Sequence, residues 1–324
     1  MKVARIFATA DGESHIVAID GRELWLHHSI LSPEGDLEAH DHRPAIRNSL
    51  GADLPYEVLG QERWIARAMV AEGYRQDRVF LCGDSAHIWI PMGGFGMNAG
   101  VEDAVNLGWK LAAVLQGWGG DALLDSYESE RRSIGQLVAG SAAKIFEDLY
   151  RIPVQDPRLE ATDEEGEAFR AEVGRAVTAH NLAEFDSIGM QLGVTYDQSP
   201  IVCHDDGRLP PFALNRYVES SVPGVRAPHV WRASGRALYD DFGPDFSLLR
   251  FGASSLDIAP LVAAFAERNV PLTVVQIEQP MAADKYQNYP LVLVRPDQHV
   301  AWRSRSVPTD PRAVVATVIA ARQV

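Results

Sequence analysis

The stretch Arg78–Gly117, RVFLCGDSAHIWIPMGGFGMNAGVEDAVNLGWKLAAVLQG, decides how this chain is read. It opens with Val79-Phe80-Leu81-Cys82, an apolar run cut off by Gly83-Asp84, which predicts a short buried strand ending in a turn. A loop follows, holding Pro91 and the glycines Gly93, Gly94 and Gly96. After Asn98 the spacing predicts a helix, with Val101, Ala104, Val105, Gly108, Leu111, Ala112 and Leu115 on one apolar face. Glu102 and Asp103 stand in its predicted first turn and Lys110 further along, the order the helix macrodipole favours. Gly117, Gly119 and Gly120 predict its end. Strand, glycine-rich loop and helix in this order describe a ligand-binding unit.

Its chemistry follows from the residue types. In open α/β sheets, ligands collect outside the carboxyl ends of strands. Asp84, just past such an end, is suited to accept a hydrogen bond from a sugar-like hydroxyl. Gly93, Gly94 and Gly96 carry no side chains, so a flat ligand can approach the backbone closely. The free N–H groups at the start of the helix favour negative charge. A lone Gly-Asp or Gly-Gly is more simply a turn or loop punctuation; the fixed order of all these features is what makes the pattern specific.

Three runs carry a family resemblance: Gly83-Asp84-Ser85-Ala86-His87; Pro91, Gly93-Gly94, Gly96-Met97-Asn98, Asp103-Ala104, Asn106-Leu107 and Trp109-Lys110-Leu111-Ala112; and LLDSYESERR from Leu123 to Arg132. Together they resemble the class A flavoprotein monooxygenases, the FAD-dependent aromatic hydroxylases. The resemblance implies FAD as cofactor and NADPH or NADH as co-substrate. It implies that Gly83 and Asp84 meet the ribityl chain of FAD and that Pro91 stands beside the reactive edge of the isoalloxazine ring. Gly93, Gly94, Gly96, Met97 and Asn98 would then lie against the pyrimidine end, where reduced flavin carries negative charge. In such enzymes reduced flavin reacts with O2 and one oxygen atom passes to a phenol-like ring. No acid–base residue stands out. His87 is a candidate, although a capping or packing role is the plainer reading of a loop histidine.

The composition narrows the class. At 324 residues the chain is long enough for two or three modest domains, and 46% hydrophobic content is that of an ordinary globular protein. A net charge of -14 argues against nucleic acid as a partner. No apolar run is long enough to span a membrane, and the first residues lack a signal-peptide pattern, so a cytoplasmic location is expected. Two distant cysteines, Cys82 and Cys203, in no CxxC pair, fit a reducing compartment. No metal site is expected; His40-Asp41-His42 and His27-His28 sit without a completing ligand set.

Residues 1–77 read as strands, with His15–Ile19 and Glu23–His27 flanking Asp20-Gly21 as a hairpin, an earlier strand over Val3–Ala8, a short helix over Ala45–Leu50 and a resumed strand pattern over Tyr56–Val70. By the resemblance this is part of the middle, substrate-binding sheet. The amino-terminal GxGxxG turn that holds the ADP half of FAD in such enzymes has no counterpart here, nor does the family's Asp-Gly motif. The chain is therefore expected to correspond to roughly the carboxyl-terminal three-fifths of such an enzyme. It should bind FAD weakly or not at all by itself; a truncated gene, one half of a split pair with a separate amino-terminal FAD-binding partner, and an excised fragment are the readings left open. The lack of a Rossmann fingerprint also argues against an NAD-dependent dehydrogenase.

Downstream, residues 78–192 read as the carboxyl-terminal part of the FAD-binding domain. Ala122–Tyr150 is predicted to be a long helix with Leu123, Tyr127, Ile134, Leu137, Val138 and Ile145 inside and Glu128, Glu130, Arg131 and Arg132 on a solvated face. A third helix is expected over Glu164–Leu192. From residue 193 to 324 a Pro/Gly-rich linker leads into strand, helix, strand, a hairpin through Pro296-Asp297, and a last helix. That order resembles the thioredoxin-like domain of the phenol-hydroxylase branch, which lacks redox chemistry here for want of a CxxC and often assists homodimers. The fold class is thus α/β (α+β): a partial FAD-binding monooxygenase fold followed by a thioredoxin-like domain. Function follows as FAD-dependent hydroxylation of a small aromatic substrate. The second reading is a non-catalytic remnant or assembly module built on the thioredoxin-like domain.

Overall fold

The computed structural model describes residues 5–9, 12–29, 41–149, 151–153, 156–252, 256–278 and 280–321. In chain order the elements are β1 (Arg5–Thr9), β2 (Gly12–Ala18), β3 (Trp25–Ser29), α1 (Arg43–Leu50), β4 (Met69–Val70), β5 (Arg75–Gln76), β6 (Val79–Phe80), β7 (His87–Ile88), α2 (Phe95–Leu115), α3 (Ala122–Leu149) and α4 (Glu164–Phe185). They continue with α5 (Ile188–Leu192), β8 (Phe246–Phe251), α6 (Ala259–Glu267), β9 (Leu272–Ile277), α7 (Pro280–Lys285), β10 (Leu291–Val294), β11 (Val300–Ser304) and α8 (Pro311–Val318). The chain forms two compact units, one of Met1–Ala66 with Asp148–His180 and one of Arg67–Glu147 with Asn181–Val324. Among the described residues no helix is long and apolar enough to cross a membrane.

In the first unit, β1, β2 and β3 form an antiparallel meander. The hairpin expected at Asp20-Gly21 is present, but its turn is wider than two residues. One Asp20 carboxylate oxygen accepts the N–H groups of Arg22, Glu23 and Leu24 at 2.9–3.1 Å, and Gly21 takes the left-handed φ of +72°. The short helix is confirmed as α1, begun by Pro44 and closed by Gly51 at φ +67°. The strand pattern over Tyr56–Val70 is not realised before Met69, and Leu59 and Trp64 are 73% and 64% exposed. Alternation alone does not make a strand; a partner must complete the ladder, and none of the described strands pairs there. His40 lies outside the described residues; Asp41 accepts from Arg43 at 2.9 Å, and His27 bonds Ser49 at 3.0 Å. Ile152, Phe169 and Val173 make a small core of this unit.

In the second unit the expected buried strand at Val79–Cys82 is corrected. Only Val79 and Phe80 pair, with Gln76 and Arg75, and Val79 is 65% exposed. This ribbon is instead laid on α3: the Tyr127 hydroxyl donates to the Leu81 carbonyl at 2.7 Å, and Glu128 accepts the Tyr74 N–H at 2.7 Å. The long helix is confirmed as α3. The helix expected over Glu164–Leu192 breaks after Phe185 and restarts as α5. Gly189 there packs so tightly that a Cβ would fall 1.8 Å from the Ala213 carbonyl oxygen.

The carboxyl-terminal module has strand order β11-β10-β8-β9, with β9 parallel and β10 antiparallel to β8. This is the thioredoxin arrangement, and with the helices it realises the mixed α/β (α+β) fold. Alternation explains its two cores. Phe246, Leu248, Leu291 and Leu293 face α6 and α8, joined by Trp118 and Leu123, whereas Leu249, Phe251, Val292 and Val294 face Val230, Leu238 and Tyr286. Asp310 caps α8 by accepting the Ala313 N–H at 3.0 Å.

Candidate functional site

All eight residues singled out above lie in the second unit, around the amino end of α2. The helix begins at Phe95 rather than after Asn98. Gly93 and Gly94 take φ of +73° and +66°, which turns the chain into the helix. A Cβ on Gly93 would sit 2.4 Å from the Phe95 ring, whereas one on Gly94 or Gly96 would meet nothing within 4 Å. That side of the loop is therefore open, and Pro91, Gly94, Met97 and Asn98 are exposed along it. No side chain caps this end of the helix; Asn98 instead donates to the Gly94 carbonyl at 3.0 Å. The first N–H groups of α2 thus remain available to a ligand.

Gly83 and Asp84 lie in a 3-10 turn at Gly83–Ser85, with Gly83 at φ +59°. The turn meets α2 where both backbones lack side chains: a Cβ on Gly100 would lie 3.4 Å from the Gly83 Cα. The Ser85 hydroxyl donates to the Cys82 carbonyl at 2.8 Å and accepts the Cys82 N–H at 3.1 Å. Asp84 is exposed.

The face of α2 that turns inward is not the apolar one. Val101, Val105 and Leu115 are 57%, 49% and 84% exposed, while Ala99, Asp103, Asn106, Leu107, Lys110 and Ala113 are buried. Glu102 and Asp103 lie beyond the first turn and so do not act as macrodipole charges. Asp103 accepts His87 Nε2 at 2.6 Å and the Gly83 N–H at 3.1 Å on one oxygen, and Arg131 Nε at 2.7 Å on the other. Burial alone would push its carboxyl up, but the bonds from His87 and Arg131 hold it below the usual carboxylate range. His87, expected in a loop, opens β7 instead; it is buried and stacks on Trp89 at 4.5 Å.

Arg131 and Glu130, expected on a solvated face, are each 1% exposed. Glu130 accepts from Lys110 at 2.6 Å, Asn106 at 2.7 Å and Ser199 at 2.5 Å, and pairs bidentately with Arg295 at 2.5 and 2.8 Å. Arg295 also donates to Asp297, which takes the Trp109 indole N–H at 3.2 Å. The Trp109-Lys110 pair of the motif therefore locks α2 onto the β10–β11 turn. Burial brings Lys110 down to about 8, partly offset by Glu130; for Glu130, Arg295 and Lys110 outweigh burial and hold the carboxyl well below its usual value. The Tyr196 hydroxyl, 3.2 Å from Asn106 Nδ2 and 3.4 Å from Arg131 Nη1, joins this cluster to the Asp103 one. The spacing Asp103, Asn106, Lys110 on α2 and Tyr127, Glu130, Ile134 on α3 marks each set as one helical face, a signal present in the sequence.

The pattern described as FAD binding domain matches residues 32–142, and that described as aromatic-ring hydroxylase, C-terminal, matches residues 220–321. An FAD-dependent monooxygenase of Penicillium oxalicum is 32% identical over 312 residues, covering 90% of this chain and 58% of the relative. The 4-methyl-5-nitrocatechol 5-monooxygenase of a Burkholderia species is 34% identical over 292 residues, covering 85% of this chain and 49% of the relative. Among solved structures, the rebeccamycin biosynthetic enzyme RebC with reduced flavin superimposes with a TM-score of 0.83 at 35% identity, over 95% of this chain and 56% of that one. The chain spans about half to three-fifths of the length of these relatives.

Proposed function

Because the chain belongs to the FAD-dependent aromatic hydroxylase family, we propose that it supplies the flavin-ring half of a monooxygenase site that hydroxylates a small phenol-like ring with NADPH or NADH and O2. One observation carries the reading: the uncapped, glycine-lined amino end of α2 is open on one side and abuts the Gly83–Ser85 turn on the other. The donor set fits FAD. Asp84 accepts from a ribityl hydroxyl, and Pro91 flanks the ring edge. Backbone N–H groups at Gly96 and Met97, in the first turn of α2, stabilise negative charge at the pyrimidine end, with the glycines allowing the approach. When bound, FAD supplies hydride acceptance from the nicotinamide and the activation of O2. The chain's own residues hold and orient the ring and keep water from that end.

The ADP half has no GxGxxG turn in this sequence to receive it. We therefore assign that half to a dinucleotide-binding domain outside these 324 residues, on the same chain or on another.

Titration of the purified chain with FAD and with riboflavin, read by flavin absorbance, tests the reading. Both flavins are expected to bind weakly with perturbed spectra and with constants within about tenfold, or 1.4 kcal/mol, of each other. An unperturbed spectrum with either flavin at millimolar chain would refute the flavin site. FAD binding a thousandfold tighter than riboflavin would refute the division of the cofactor.

A further inference from the structure

We propose that Asp103 is the positioning residue of the flavin-binding turn: its buried carboxylate, clamped by His87 and Arg131, holds the Gly83 N–H and thereby aims Asp84. The inference rests on the flavin reading above and adds a residue to it.

The need for such a residue arises at Asp84 itself. Its carboxylate is exposed and has no hydrogen-bond partner among the described residues, so nothing on the side chain orients it toward a ribityl hydroxyl. Its direction is inherited from the backbone of a turn only three residues long. Most of the bonds in that turn are local: Ser85 with Cys82, and the Ala86 N–H to the Gly83 carbonyl at 2.8 Å. Its flanks are held, Leu81 by the Tyr127 hydroxyl at 2.7 Å and the Ala86 carbonyl by the Ala71 N–H at 2.8 Å, but between them the turn has only these local bonds and what reaches it from α2. Two bonds tie it to the helix below, the Cys82 thiol to the Gly100 carbonyl at 3.9 Å and the Gly83 N–H to Asp103 at 3.1 Å. The thiol is a weak donor, so the carboxylate is the anchor.

Asp103 is suited to that task because it cannot turn. One oxygen is taken by His87 and Gly83, the other by Arg131, so its plane is set from three directions. Arg131 is in turn fixed by Glu102 at 3.1 Å, the Ala99 carbonyl at 3.3 Å and Tyr196 at 3.4 Å. His87 is fixed by its stack on Trp89. An asparagine fits the space but places an NH2 where one of the donors points. With its carbonyl toward Arg131, it leaves the Gly83 N–H without an acceptor.

The test compares the full chain with Asp103→Asn and with Leu261→Ala, a cavity variant in the core between the carboxyl-terminal sheet and α6, remote from the turn. Two quantities are read at temperatures where all three are folded by circular dichroism: FAD affinity, and amide hydrogen exchange of the segment 82–86. Asp103→Asn is expected to weaken FAD binding about tenfold or more and to accelerate exchange at Gly83, while Leu261→Ala leaves both at wild-type values. Unchanged exchange at Gly83 in Asp103→Asn overturns the proposal, as does an equal effect of Leu261→Ala. Should the wild-type chain leave the FAD spectrum unperturbed, the flavin reading has failed, and the exchange arm still decides whether Asp103 anchors the turn.

Discussion

Replacing Glu130 with Gln should destabilise the second unit more than any surface change, and its size follows from the charge balance of the cluster. Lys110 and Arg295 contribute two positive charges, Glu130 and Asp297 two negative ones, and all are at most 7% exposed. Gln keeps the shape but leaves one buried positive charge unmatched. Breaking a buried pair in this way costs about 3–5 kcal/mol. An independent bound agrees. The strained ammonium has one escape, loss of its proton, and neutralising a lysine of pKa 10.5 at pH 7 costs about 5 kcal/mol. Arg295 has no such escape, so Lys110 is the group that yields.

The pH dependence then carries a signature. In the variant Lys110 is neutral in the folded state at pH 7, while the unfolded chain still binds the proton, so stability rises with pH. In the wild type the folded Lys110 keeps its proton up to about 8. The deficit should therefore narrow by about 1.4 kcal/mol between pH 7 and pH 8 and hold steady above that. Urea unfolding followed by tryptophan fluorescence, with Trp109 beside the cluster, measures it. The double variant Lys110→Met with Glu130→Gln should recover more than half of the loss, because Arg295 and Asp297 stay paired. A deficit below 1 kcal/mol, or one indifferent to pH, would show that water or a rearranged partner compensates the ammonium and would refute the reasoning.

Other expectations concern the same unit. Tyr196→Phe removes the hydroxyl joining the two buried clusters and leaves a donor of Arg131 short of an acceptor, while the Asn106 amide keeps Glu130 and Asp297; a loss of about 1–3 kcal/mol in urea unfolding is expected. Gly94→Ala places a Cβ at φ +66° in open space, so its unfolding free energy in urea should fall by only the strain of about 1–2 kcal/mol. Its FAD affinity, titrated by absorbance, should fall further than that strain explains. Acid should unfold this unit early. The Asp103 and Glu130 carboxyls are held below their usual 3.8 and 4.5 in the folded state, so their contribution is complete above those values and lost as pH falls below them. Circular dichroism during titration from pH 6 to pH 2 would show a flat stability throughout if these carboxylates were not paired.

Much of the chain was legible because its signals are local. The β2–β3 hairpin, α1, α3, and the strands with helices α6 and α8 of the carboxyl-terminal module follow from alternation, helical period and turn residues within a dozen positions of each other; the short α7 was not read. The glycine loop and the Gly83-Asp84 turn were legible for the same reason: glycine at φ near +70° and an uncapped helix start are properties of the residues themselves. Other features were not, the exposed two-residue strand at Val79-Phe80 among them. The Tyr56–Val70 pattern needed a strand partner from elsewhere. The helix after Phe185 breaks where Gly189 meets the backbone of Ala213, a contact across more than twenty positions. The buried face of α2 was read the wrong way round, because hydrophobicity names the face that prefers to be covered, not the one a neighbour reaches. Asp103, Asn106 and Lys110 are inside because α3 and the β10–β11 turn bring Arg131, Glu130, Arg295 and Asp297 to meet them. A charge can be buried only where its counter-charge is, and residues 130 and 295 are joined by the fold alone.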